Sequence, residues 1–368
     1  MSTFVNPSAK SWSCSSLTNP HILPFHMTLP DYNETALVSL PDVAQELGVK
    51  SIYVKDESKR FGLPAFKILG ASWAVYRAVT EAAGLTVDSG SPGPEVDELK
   101  AAANEKKLRL VTTTEGNWGR AVARMGKYLA LPTTVYVPRY MDEATQAKIR
   151  SEGAEVTVLP EEYDGALRVA REHAEKTGDL LVLDTSWEGY TTTPRWVTEG
   201  YSTMLAEVDR QLDSQGSPPA TLAIAAVGVG SWAHAVVAHY KSKTSPAAVV
   251  TVEPTVAACL NASLKAGKIV SIDTGETIMN GMNCGTVSTI AWPYLREGVD
   301  ASVVIDDLAS HRAVQYLHGH GVNAGPCGAA TLAALLKLKE DRSVKLGGDD
   351  VVVLYSTEGA RDYIEPTA

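Results

Sequence analysis

Lys67 stands among apolar and small residues, in the run Phe61-Gly62-Leu63-Pro64-Ala65-Phe66-Lys67-Ile68-Leu69-Gly70. A lysine in such a setting either lays its stem on apolar surface and sends the ammonium to water, or is buried and so becomes a lower-pKa amine able to attack a carbonyl. A second element of chemistry is Gly228-Val229-Gly230-Ser231-Trp232-Ala233, between an apolar run and a helical pattern. Glycines there let backbone N–H groups approach a phosphate, and the dipole of the following helix favours negative charge. Three readings of this loop stand open: a dinucleotide fingerprint, since Glu253 follows about twenty residues later; another phosphate site; or a tight turn. An aldehyde cofactor with a phosphate handle would use the lysine and the loop together. Pyridoxal phosphate is such a cofactor.

Three further loops carry polar groups. In Thr112-Thr113-Thr114-Glu115-Gly116-Asn117-Trp118-Gly119-Arg120 the backbone of a helix start suits a substrate carboxylate and the Asn117 amide suits a cofactor phenolate; alternatively Glu115 only favours the helix dipole. Asp184 closes the apolar run 180–183, where an acid is either a general acid or base or a cap on the next helix. Ser356 and Thr357, before Glu358 and Gly359, offer hydroxyls to a heterocyclic nitrogen or to a turn.

These loops need strands to present them. Short apolar runs followed by helical patterns recur at 108–113 with 119–129, 133–138 with 143–152, and 222–227 with 231–240, and further strands are expected at 249–253 and 351–355. Apolar strands alternating with helices predict an α/β fold with parallel sheets covered on both faces and ligands beyond the carboxyl ends of the strands. Two Ser/Gly/Pro-rich seams, 87–96 and 213–219, bracket an expected insertion. The expected division is a large domain of residues 1–86 and 215–368 and a small α/β domain of residues 87–214.

Composition excludes whole classes. With 368 residues, 45% hydrophobic and 21% charged, the chain resembles neither disordered nor disulfide-scaffold proteins. A net charge of −10 has the wrong sign for gripping nucleic acid or anionic lipid by bulk charge. Cys14, Cys259, Cys284 and Cys327 are scattered, without C-x-x-C, and no histidine pattern suggests a metal; reduced thiols in a cytoplasmic protein are expected. No apolar run near the start has signal-peptide length, and the most apolar segment, 222–237, is too short and interrupted to span a bilayer.

In this order the loops resemble the fold-type II, tryptophan-synthase-like pyridoxal phosphate enzymes, most closely the diaminopropionate ammonia-lyase family. The resemblance is carried by KDESKRFGLPAFKILGAS ending at Ser72, TTTEGNWGRAVA at 112–123, DTSWEGY at 184–190, GVGSWA at 228–233, MNGMNCG ending at Gly285, TIAWPYLREG ending at Gly298, and STEG at 356–359. It implies two doubly wound parallel-type sheets, a large cofactor domain and a smaller inserted one, and a homodimer. It implies that Lys67, with Phe66 beside it, binds the cofactor aldehyde, that Gly228, Val229, Gly230, Ser231, Trp232 and Ala233 hold its phosphate, that Asn117 lies by its hydroxyl, and that Ser356 or Thr357 lies by its ring nitrogen. Glu115 and Asp184 fall where the family places acids acting on substrate, and Thr114, Gly116, Trp118 and Tyr190 would line the substrate.

The implied activity is α,β-elimination from a β-substituted amino acid such as 2,3-diaminopropionate, giving a 2-oxo acid and ammonia. The same scaffold would serve a β-replacement synthase, a dehydratase or a racemase, and the glycine loop with Glu253 leaves a nicotinamide-dependent dehydrogenase as a remote alternative. The chain departs from the family pattern at Glu115, where Asp is usual, and at Trp118, where His is usual. Gly285-Thr286-Val287-Ser288 stands for Gly-Glu-Pro-Asn, and Pro326-Cys327-Gly328 for Glu-Ser-Gly. Such changes bear on which substrate side chain is accepted.

Overall fold

Uninterrupted apolar runs form interior strands because only a sheet covered on both faces buries every residue of the run. In the computed structural model, which describes residues 3–17, 19–87, 93–114 and 116–367, the runs do this. The strands in chain order are β1 (Phe4–Val5), β2 (Leu37–Ser39), β3 (Ser51–Asp56), β4 (Leu110–Thr113), β5 (Thr133–Val137), β6 (Glu155–Val158), β7 (Leu180–Leu181), β8 (Leu222–Ala226), β9 (Ala248–Pro254), β10 (Ala301–Ile305) and β11 (Val351–Ser356). Every residue of β4, β8, β10 and β11 is buried. The fold is α/β with parallel sheets, as the strand–helix alternation predicts.

The chain forms two units, one of Met1–Thr18, Glu34–Phe66 and Met204–Ala368, the other of Asn19–Asn33 and Lys67–Thr203. The crossing at Lys67 differs from the expected one at residue 87, and residues 19–33 also join the second unit. The cause is the helix Lys67–Ala83, whose small residues pack on the helix Thr192–Gly200: a Cβ at Gly70 would lie 2.7 Å from the Tyr201 ring. That helix therefore belongs with the second unit although its own loop belongs with the first. Residues 88–92 of the first seam lie outside the described residues.

The first unit holds a seven-stranded sheet in the order β1-β10-β9-β8-β11-β3-β2. Its five central strands are parallel, and β1 and β2 close the edges antiparallel. The chain runs outward from β8 through β9 to β10, then returns to β11 on the other side, so the order reverses between β8 and β11. Loops after those two strands flank the crevice where such sheets take ligands. Leu222, Ile224, Val250, Val252, Val352 and Leu354 pack with Leu332, Leu335 and Leu338 of the helix Pro326–Asp341 to form the main core.

A charged cluster lies inside this unit. Lys55 and Arg60 meet Glu207 at 2.7 and 2.6 Å, Arg60 meets Glu57 at 2.7 Å, and all four side chains are 0% exposed. Burial pushes the Lys55 ammonium down, against the pull of Glu207 and Glu57. Two cations facing two anions satisfy one another where an unpaired charge would be intolerable. The cluster anchors the segment leading to Lys67, which is also stitched to the end of β11: Glu57 N–H donates to Ser356 O, Phe66 N–H to Thr357 O and Gly359 N–H to Pro64 O, at 2.9, 3.2 and 2.7 Å.

The second unit holds a four-stranded parallel sheet in the order β6-β5-β4-β7. The helix Asn117–Leu129 follows β4, with Ala121, Val122, Met125 and Leu129 buried. No helix among the described residues is long and apolar enough to cross a membrane.

Candidate active site

In the second unit, Lys67 occupies the first position of its helix. Its Nζ lies 2.5 Å from Asp184 Oδ2, with side-chain exposures of 20% and 9%. Such a short charge-assisted contact in a largely enclosed place fixes both groups and lets a proton pass between them. The same Nζ is 5.8 Å from the centre of the Trp118 ring. Three of the predicted residues, Lys67, Asp184 and Trp118, are thus brought together from chain positions far apart.

The loop after β4 is built by its own side chains. Thr114 Oγ1 accepts from Gly116 N–H and Gly119 N–H at 2.8 and 2.9 Å, so its oxygen caps the helix Asn117–Leu129. Asn117 begins that helix. Trp118 Nε1–H is shared between Thr112 Oγ1 and Val182 O at 3.1 and 3.2 Å. The Tyr190 hydroxyl donates to Leu181 O at 2.8 Å and accepts from Leu183 N–H at 3.1 Å. The polar atoms of Thr114, Trp118 and Tyr190 are therefore engaged with the protein itself. Glu115 lies outside the described residues.

In the first unit, the loop Gly228 to Ala233 leaves β8 and enters the helix Ser231–Lys241. Gly230 has φ +96, which disfavours any side chain, and a Cβ at Gly228 would stand 3.0 Å from Gly281 O and 3.2 Å from Cys284 Sγ. Val229 O accepts from Ser288 N–H at 2.8 Å. The rings of Phe66 and Trp232 meet edge to face at 5.3 Å, and Trp232 meets Tyr355 at 5.0 Å. Phe66 thus reaches the glycine loop from the residue immediately before Lys67.

Ser356 ends β11 completely buried, and its hydroxyl has no hydrogen-bond partner among the described residues. Leaving a buried polar atom unmatched is costly, so such an atom asks for a ligand. Thr357 follows it, 5% exposed. Cys259 Sγ contacts Gly228 O at 3.7 Å, which places Cys259 and Cys284 on the same glycine, a proximity the sequence does not reveal. All four cysteines are unbridged, and burial, followed by the nearby Glu253 carboxyl, pushes the Cys259 thiol well up.

Glu253, the acid that would complete a dinucleotide fingerprint, is committed elsewhere. Its two oxygens accept from Leu260 and Asn261 N–H, 2.7 Å each, at the start of the helix Cys259–Ala266. Burial pushes the carboxyl up to about 7 from its ordinary 4.5, with those two hydrogen bonds opposing the rise. The folded state then holds this proton longer than the unfolded one. Its stabilising contribution is complete below the unfolded value and is lost as pH rises through the folded one. Urea unfolding at pH 5 and pH 8 should therefore show a larger loss of stability for the native protein than for Glu253→Gln; equal losses would refute the shift.

A family model described as "Pyridoxal-phosphate dependent enzyme" matches residues 28–358. The chain belongs to that family. Diaminopropionate ammonia-lyase of Escherichia coli K12 is 34% identical over 353 residues, covering 92% of this chain and 87% of that protein. A crystal structure of the Escherichia coli enzyme in complex with D-serine superposes with a TM-score of 0.88 at 30% identity, over 97% of this chain and 93% of that one. Another, with an aminoacrylate-PLP azomethine reaction intermediate, superposes with a TM-score of 0.85 at 30% identity, again over 97% and 93%.

Membership of the pyridoxal-phosphate family removes the nicotinamide reading of the glycine loop, in agreement with the commitment of Glu253 to a helix. The residues present fit the family's cofactor. The loop has no room for side chains where a phosphate would approach, and the orphaned Ser356 hydroxyl is a neutral partner suited to a ring nitrogen. What sequence reasoning missed is the support beneath these groups: Thr112, the Val182 carbonyl, and the cluster of Lys55, Glu57, Arg60 and Glu207. The charges of KDESKR inside a strand-and-turn pattern were the available signal for the last.

Proposed function

We propose that this protein is a pyridoxal phosphate-dependent ammonia-lyase that eliminates the β-substituent of a 2,3-diaminopropionate-like amino acid and releases a 2-oxo acid and ammonia. The observation that carries the reading is the Lys67–Asp184 contact, an amine and an acid 2.5 Å apart, in a chain whose relatives bear that activity in their name. When bound, pyridoxal phosphate supplies an aldehyde for amines and a ring that delocalises negative charge from Cα.

The chain's own groups do the rest. Lys67 Nζ would hold the aldehyde, and its amine, free of that bond, would be the base for the Cα proton. Asp184 Oδ2 takes the lysine's proton or delivers one to the departing β-group. Glu115 removes the Cα proton of the opposite stereoisomer. The loop Gly228 to Ala233 binds the phosphate, Phe66 and Asn117 orient the cofactor ring and its hydroxyl, and Ser356 or Thr357 meets the ring nitrogen. A neutral hydroxyl there would withdraw less charge from the ring than a carboxylate. The substrate carboxylate takes the start of the helix Asn117–Leu129, where backbone N–H groups and the dipole favour an anion. Thr114, Gly116, Trp118 and Tyr190 shape that end of the site chiefly by holding its backbone. Cytoplasmic location and a homodimer belong to the same reading, supported by the unbridged cysteines and by the family resemblance, respectively.

The test is a substrate panel: both isomers of 2,3-diaminopropionate, with serine and threonine, assayed for 2-oxo acid and ammonia. Equimolar release of the two from diaminopropionate is expected. Accumulation of a new amino acid, or of the inverted isomer, in place of the oxo acid would assign the protein to replacement or racemisation instead.

A further inference from the structure

Strand β7 is an edge strand, with β4 on one side and, among the described residues, no strand on the other. Edge strands leave a row of backbone donors and acceptors unpaired. On the β4 side, Val182 N–H donates to Val111 O at 3.0 Å, and Val182 O accepts from Thr112 Oγ1–H at 2.7 Å and Trp118 Nε1–H at 3.2 Å. On the outer side, where residues 181 and 183 point, the Leu181 carbonyl and Leu183 N–H are both taken by one atom, the Tyr190 hydroxyl. A single phenol thus replaces a missing neighbouring strand, and the next residue is Asp184.

The chain is folded back to make this possible. Trp187 and Tyr190 exchange backbone hydrogen bonds at 3.0 and 3.4 Å across Glu188-Gly189. Gly189, at φ +88, supplies the conformation that other residues resist. The Trp187 and Tyr190 rings stack at 4.5 Å and 18°, with the Arg171 guanidinium 5.3 Å from the Trp187 ring. The phenol is held neutral, since burial pushes it up, so it remains able to donate and accept at once.

We infer that Tyr190 is a positioning residue of the reaction: its hydroxyl clamps the last outward-facing backbone groups before Asp184 and thereby holds the carboxylate on Lys67 Nζ. The kinetic part of this inference rests on the elimination reading, whereas the geometric part concerns the chain alone. A removable oxygen makes it testable, because Tyr190→Phe keeps the ring stack and removes the hydroxyl with its bonds to Leu181, Leu183 and the Thr193 side chain.

The experiment reads Lys67 in the cofactor-free protein, 13C-methylated on lysines and titrated by NMR, with the Lys67 signal assigned by its absence in Lys67→Arg. An adjacent carboxylate favours the ammonium, so Asp184→Asn should lower the Lys67 midpoint by about one unit or more. Tyr190→Phe should lower it by part of that amount, and the double variant no further than Asp184→Asn alone. In the loaded enzyme Tyr190→Phe should reduce kcat about tenfold with little change in KM, since the clamp acts on a group that moves protons. A Lys67 titration unchanged by Tyr190→Phe, even with a lower Tm, would make the tyrosine a structural prop and overturn the inference. So would a shift that adds fully to that of Asp184→Asn. Should the native enzyme release no oxo acid, the elimination reading fails while the titration result stands by itself.

Discussion

Lys67→Ala should abolish turnover, with a loss of at least about a thousandfold in kcat/KM, because in the proposed reaction one amine serves both to hold the cofactor and to move the Cα proton, and removing a group with two roles in one sequence of steps cannot be offset by the rest. Native protein mixed with pyridoxal phosphate should show a visible absorption band that survives gel filtration and is trapped by borohydride on the peptide containing residue 67. The alanine variant should show neither band nor label. It should still fold, since Lys67 is the first residue of its helix and the buried face begins at Ile68. A variant that kept a trapped label, or turnover within about tenfold of native, would remove Lys67 from its assigned place.

Asp184→Asn is the second large effect. The substitution keeps the shape and removes the charge and the exchangeable proton from a group 2.5 Å from Lys67 Nζ. General acid–base groups contribute about 10²- to 10⁴-fold, and a loss in that range is expected in kcat for elimination. Because Asp184 and Glu115 are assigned to different stages or faces, the loss should differ between D- and L-2,3-diaminopropionate. Losses below about threefold for both isomers would show that Asp184 only supports the helix and strand around it.

Much of this was legible in the sequence for definite reasons. The apolar runs that became β4, β5, β8, β9 and β11 are largely buried, and their shortness and β-branched content favour strand over buried helix. Helix starts were marked by glycine and asparagine before the apolar periodicity, as at Asn117 and Ser231. The unit boundary at Lys67 was hidden, because composition marks flexible seams and not the packing of Gly70 against the Tyr201 ring. Likewise Tyr190 is placed beside the substrate by the family resemblance, and its type says only that it packs. Only the outer edge of a short strand shows that its oxygen is spoken for, and edges are set by tertiary pairing that one chain's pattern does not display.

The sealed quartet of Lys55, Glu57, Arg60 and Glu207 has a consequence for how this chain can change over time. Deleting one member of a buried ion pair costs about 3–5 kcal/mol, a sizeable share of the roughly 5–15 kcal/mol by which a typical protein stays folded. Single steps away from the quartet are therefore nearly closed, whereas replacing several members together by apolar side chains of matching volume is close to neutral. Descendants of this chain should keep all four charges or abandon them jointly, which makes the quartet a lineage marker for the segment that delivers Lys67 to its place.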